Sequence, residues 1–191
     1  YFIKLTKYHF RIKRKIKRIV LIVVEPNFFH FCNPIYKQAS LVVPFAIDDR
    51  NNTSKNLTKL YIVNGDSLSE GNSIYPCKGN VDKNNFLNVF SLSSKNLIDI
   101  IKDQYMKPSS KLILRINCEG SEDSIIYNFN NNFSSQLVCV LGSLKDVRNI
   151  KGVESYEKLI NFMNTNKITN EIFGTDVMTW LKSHKLILTN L

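Results

Sequence analysis

Two stretches decide the fold: Ile19-Val20-Leu21-Ile22-Val23-Val24-Glu25-Pro26-Asn27 and Lys111-Leu112-Ile113-Leu114-Arg115-Ile116-Asn117-Cys118-Glu119-Gly120. Each is an apolar run that ends abruptly in a polar turn bearing a carboxylate and a chain-breaking Pro or Gly. Ile19–Val24 is apolar throughout and rich in β-branched residues, the pattern of a strand buried on both faces. Working outward, Ser40–Phe45 (SLVVPF) and Gln136–Leu141 (QLVCVL) read the same way, and shorter strands are expected at Leu60–Val63 and Phe86–Leu92. Asp48–Lys59 and Asp66–Gly79 read as loops, and residues 27–39 suit either a helix or an irregular connection.

Helical patterns fall between the strands. Ser93 or Ser94 offers a cap for Lys95–Gln104, where Leu97, Ile98, Ile100 and Ile101 make an apolar stripe. A second helix is expected over about 121–130, and a third over Tyr156–Met163, with Leu159, Ile160 and Met163 at helical spacing. Leu186–Leu188 is placed as a closing strand. Strands alternating with helices predict an α/β fold built on one mostly parallel sheet.

The chain has 191 residues, a length that suits one domain with a sizeable core. Its net charge of +10 raises the question of a nucleic-acid partner. Eight of the 26 basic residues lie in residues 1–18, which hold no acid, leaving 18 basic against 16 acidic residues over 19–191. The charge is thus a terminal run, and Tyr1, Phe2, Tyr8 and Phe10 are interleaved in it as a base-stacking arm would need. A balanced body argues against a nucleic-acid surface there, and no such partner is expected. Residues 1–18 therefore stand apart as a basic segment, and 19–191 as the folded domain.

Cys32, Cys77, Cys118 and Cys139 are widely spaced and lack the pairing of a metal site, so they are read as buried, reduced thiols and no metal is assigned. Ile19–Val24 is too short to span a bilayer or to form a signal-peptide core, which makes a cytoplasmic location without a transmembrane segment the expectation.

Two places look chemical. Glu25 ends a buried strand, where nucleotide-binding α/β folds hold ribose hydroxyls with a forked carboxylate. An ordinary strand-end Glu facing water gives the same pattern. Asn117, Glu119 and Glu122 follow the strand at 111–116, where open α/β sheets dock ligands. Two acids at a helix start can equally just complement its dipole.

Together, VVEPN (23–27), AIDD (46–49), SEGNSIY (69–75) and RINCEGSE (115–122) occur in an order and spacing that resembles the FkbM methyltransferases, over roughly residues 19–142. The resemblance implies a Rossmann-like fold that binds S-adenosylmethionine (SAM). It implies a cofactor site of Glu25, Asn27 and Asp48, with Glu25 on the ribose and Asp48 near the adenine. Asn117, Glu119 and Glu122 would line the cleft where the methyl group meets its acceptor. The implied reaction is O-methylation of a hydroxyl on a sugar, glycolipid or related small molecule.

Two departures from the family pattern bear on this. No glycine occurs in residues 1–64, so the glycine-rich turn and the strand before it are absent from the sequence, as in an N-terminally incomplete copy. Asn117 stands where the family has Asp, and Arg115 where it has Lys. Of the remaining groups, His30 and His184 have no motif around them. The competing expectation is a catalytically inactive methyltransferase-like fragment or interaction domain.

Overall fold

The computed structural model describes residues 20–31, 34–50, 56–66, 68–69 and 71–171. The basic segment 1–18, Cys32, His184 and the strand expected at Leu186–Leu188 lie outside the described residues. In chain order the elements are β1 (Ile22–Val24), α1 (Phe28–Phe31), a 3-10 turn (Pro34–Gln38), β2 (Leu41–Val43), β3 (Ala46–Ile47), β4 (Leu57–Val63) and β5 (Val81–Leu92). They continue with α2 (Ser94–Gln104), β6 (Leu112–Arg115), α3 (Glu122–Phe133), β7 (Leu137–Leu141), α4 (Lys145–Lys151), α5 (Val153–Thr165) and β8 (Thr169–Glu171). The protein is an α/β structure in which parallel pairings dominate.

The expectation of a single sheet needs correction. Among the described residues the strands form three hydrogen-bonded sheets, β1-β2, β3-β5-β4 and β6-β7-β8. β1 runs parallel to β2, with Val23 opposite Val42, and β6 runs parallel to β7, which is parallel to β8. The first break has a visible cause. β2 and β3 are nearly continuous, but Pro44 lies between them and has no amide to donate to a ladder. The chain leaves β1 at that point and pairs Ala46 and Ile47 with Ser91 and Leu92 of β5. β4 and β5 then form a long antiparallel hairpin, irregular between Tyr61 and Val63.

Three helices cover one side of the parallel strands. Leu97, Ile98 and Ile101 of α2, Ile125, Ile126, Phe129 and Phe133 of α3, and Leu159 and Met163 of α5 converge on Val43, Leu137 and Val140 in one buried cluster. Their three- and four-residue spacing sets one face of each helix inward. β7 is buried on both faces, since Cys139 and Leu141 belong to a separate cluster on its other side. A smaller core of Ala46, Leu60, Ile74 and Val89 lies beneath the β4–β5 hairpin. Ser93 caps α2 by accepting from the Asn96 amide at 3.2 Å. No described helix is long and apolar enough to cross a membrane.

Candidate functional site

The turn after β1 is closed by its own side chains. The Glu25 amide donates to Val43 O at 3.1 Å, prolonging the β1–β2 ladder by one residue. The Glu25 carboxylate, half-buried, accepts the Asn27 amide at 2.8 Å, bridging Pro26. Asn27 is 2% exposed, and its Oδ1 accepts the Phe29 amide at 3.1 Å, capping the short helix α1. In that helix the His30 Nε2 is buried with no hydrogen-bond partner among the described residues.

After β3, the two consecutive aspartates turn in different directions. Asp48 accepts from Arg50 Nε at 2.9 Å and Nη2 at 2.7 Å and from the Thr58 hydroxyl at 2.8 Å. Burial works against its charge, but these donors outweigh it and hold the carboxyl below its ordinary range. Arg50 in turn donates to Ile74 O at 2.7 Å. Asp49 accepts the Ser94 amide at 2.8 Å, the Ser94 hydroxyl at 2.5 Å and the Asn128 side chain at 3.2 Å, tying β3 to both α2 and α3.

The turn after β6 is held by its own side chains and backbone. Ile116 continues the ladder by donating to Leu141 O at 2.9 Å, and Asn117 is exposed. Glu119 adopts φ +55° and Gly120 φ +121°. Glu122, 1% exposed, folds its carboxylate back to accept the Cys118 amide at 3.0 Å and the Gly120 amide at 2.8 Å. Burial raises its pKa despite those donors, and Asp146 adds to the rise.

Residues 71–80 lie across this turn. The Ser73 hydroxyl donates to Glu119 O at 2.7 Å, and Lys78 Nζ sits 2.5 Å from Glu119 Oε2 and 2.6 Å from Gly71 O. A Cβ built on Gly120 would stand 2.7 Å from Ile150 Cδ1 and 2.9 Å from Tyr75 Cδ2, so that backbone is in direct contact with both side chains. Arg50 lies over the Tyr75 ring at 4.9 Å and Lys151 at 5.2 Å. Lys151 also pairs with Asp123 at 2.5 Å. Burial pushes the Glu119 carboxyl up; Lys78 opposes this and the neighbouring Asp146 carboxyl adds to it.

No protein-family model, curated protein or solved structure matches the chain. Burial pushes the Cys118 thiol far up, and the Glu122, Glu119 and Glu25 charges add to the rise; Val24 and Cys118 pack against the same core. Asp48 joins the group at one remove, through Arg50 and the Ile74 carbonyl. Asn27 faces inward toward α1.

No sequence motif points to Lys78, Asp146 or Lys151. Lys78 follows Pro76 and Cys77 in a loop, and nothing in its own neighbourhood marks it as the partner of a residue 41 positions on. The reading of the cysteines as buried needs correction at Cys77, which is exposed, whereas Cys139 is buried. Among the described residues, no group of three His, Cys, Asp or Glu side chains is arranged to hold a metal ion.

Proposed function

We propose that the protein is a SAM-dependent methyltransferase domain acting on a hydroxyl of a sugar, glycolipid or related small molecule. The observation that carries this reading is that Glu25 follows β1 and the β6–α3 turn follows β6, each at the carboxyl end of a parallel strand, with Val24 and Cys118 packed against the same core. Carboxyl ends of parallel strands are where open α/β sheets take nucleotides.

The residues fit SAM unevenly. Glu25 is half-buried at the strand end with its carboxylate already accepting the Asn27 amide, so a ribose would have to share that acceptor. Asp48 is occupied by Arg50 and Thr58, and Asn27 by the Phe29 amide, so in this reading they shape the flanking turns. SAM supplies an electrophilic methyl group, and the protein's part is alignment and proton removal. Glu119 is the residue proposed to take the acceptor's proton, because its raised pKa suits a base better than an ordinary carboxylate. Asn117 is exposed beside it and would meet the acceptor; Glu122 holds the turn.

Calorimetry with SAM tests the proposal. Binding is expected in the high micromolar range, roughly 5–6 kcal/mol, and Glu25→Gln should weaken it at least about tenfold, or ~1.4 kcal/mol. No heat of binding at millimolar SAM would sink the reading.

A second reading has its own support. The Glu119 and Glu122 carboxylates are both engaged within the protein, by Lys78 and by two backbone amides. That arrangement suits an inactive domain retaining the fold for interaction. SAM binding without methyl transfer to any hydroxyl acceptor would favour it.

A further inference from the structure

We propose that the exposed Phe28–Phe29 pair of α1 and the basic segment 1–18 together dock the protein on an anionic lipid bilayer. The inference does not depend on what the candidate site binds.

Phe28 is 71% exposed and Phe29 51%, and the fold holds both outward. Asn27, buried beneath them, accepts the Phe29 amide with its side chain and the His30 amide with its carbonyl. The His30 Nε2 is buried, so the short helix turns that ring inward and the two phenyl rings out. The rings meet edge to face with centroids 6.5 Å apart and make one apolar ridge. Two adjacent rings held out of the core mark a contact surface, where single scattered ones would not.

The charge around the ridge decides its occupant. Residues 1–47 hold nine Lys or Arg and one acid, Glu25, whose half-buried carboxylate accepts the Asn27 amide. Residues 48–191 hold 17 basic and 15 acidic residues, so the positive excess belongs to the part of the chain that carries the ridge. Lys37, exposed in the 3-10 turn after α1, is the nearest Lys in sequence. Arg18 lies ten residues before Phe28, so the basic run ends within about 35 Å of the ridge whatever course the chain takes between them. One flat anionic surface can meet both.

A bilayer fits this pairing better than a protein or a nucleic acid does. At these exposures the two rings offer roughly 250 Å² of apolar surface, far short of the ~800 Å² per partner of a stable protein interface. Ile3, Leu5, Ile12 and Ile16 are interleaved with the charges of residues 1–18, and aliphatic side chains give a base nothing to stack on. Aliphatic and phenyl groups alike enter the boundary between headgroups and acyl chains. The basic residues supply the second half of the attachment, attraction to anionic headgroups.

Flotation of the full chain with phosphatidylcholine vesicles, with and without phosphatidylserine, tests this. Binding should be at least about a hundredfold tighter when about one lipid in four is phosphatidylserine. It should weaken at least about tenfold between about 0.05 M and about 0.3 M salt. Joint replacement by Phe28→Ser and Phe29→Ser should weaken it at least about tenfold at low salt. Replacing Lys13, Arg14, Lys15, Lys17 and Arg18 by Gln should remove most of the preference for phosphatidylserine. Phe28→Trp gives a second measurement that keeps the ring aromatic. Bromine-labelled acyl chains should quench its emission beyond that of the parent, whose one tryptophan is Trp180. No binding to the phosphatidylserine vesicles overturns the proposal, as does binding that the double Phe variant leaves unchanged or a Phe28→Trp signal quenched no more than the parent's. A single-stranded oligonucleotide bound more tightly than the vesicles, with the same loss in the double Phe variant, would make nucleic acid the partner instead.

Discussion

Gly120 is the residue on which the turn after β6 depends, and two separate effects fall on it. Its φ of +121° is a conformation L side chains rarely adopt, and its missing Cβ leaves room for Tyr75 and Ile150. Gly120→Ala should therefore combine backbone strain with overpacking and lower stability by about 3 kcal/mol. Gly65 separates the two effects. Its φ is +77°, yet nothing lies within 4 Å of a Cβ built there, so Gly65→Ala should cost only about 1–2 kcal/mol. Urea denaturation of the two variants measures the difference; equal losses would mean that Tyr75 and Ile150 yield freely. The importance of Glu119-Gly120 was legible in the sequence as a carboxylate and a glycine at a strand end. Its chemistry was not, because the groups that set the Glu119 charge come from Lys78 and Asp146, which no local pattern links to it. Asp48 and Glu25 stood out by position alone, and their partners became visible only with the chain folded.

At the scale of elements, the apolar runs were sound guides to type. β1, β2, β6 and β7 lie within the stretches read as strands, since continuous β-branched runs leave little else for the backbone to do. α2 and α3 begin within about a residue of the expected starts, and α5 begins three residues earlier than its stripe. β5 runs back to Val81, well before Phe86: Asp82-Lys83-Asn84-Asn85 is polar and shows no strand pattern, and it bridges the irregular part of the ladder between the Tyr61–Phe86 and Val63–Val81 pairs. α4 and β8 leave no clear pattern in the sequence, for related reasons. Lys145–Lys151 is too short to show a stripe, and Thr169–Glu171 is polar and joins its sheet by pairing with β7. Asp49 is the joint between elements. One carboxylate serves the start of α2, through Ser94, and the middle of α3, through Asn128. Asp49→Ala strips these partners and leaves the Ser94 hydroxyl, on a fully buried residue, without its acceptor. Such a loss is expected to cost about 2–3 kcal/mol. Thermal or urea unfolding reads it, and a change below about 0.5 kcal/mol would show that α2 docks by its apolar face alone.

At the scale of the molecule, the division into separate sheets predicts how the protein opens. The larger core joins α2, α3 and α5 to Val43, Leu137 and Val140, so disrupting it removes contacts from helices and parallel strands together. The smaller core, with Ala46, Leu60, Ile74 and Val89 as its buried residues, supports the β3-β5-β4 sheet and the segment carrying Ile74 and Tyr75. Regions with fewer buried apolar contacts open at lower free energy, in cooperative units that follow such boundaries. Ile126, fully buried in the larger core, and Leu60, 3% exposed in the smaller one, are the matched probes. Truncating either to Ala leaves a cavity that typically costs about 2–5 kcal/mol, but the cost should appear in different places. Ile126→Ala should lower protection against hydrogen exchange across β6, β7, α3 and α5 by a common factor, the mark of global unfolding. Leu60→Ala should speed exchange in β4, β5 and residues 71–80 while Leu137–Leu141 keeps its parent rate. A uniform loss in both variants would mean that the hairpin and the parallel strands unfold as one unit.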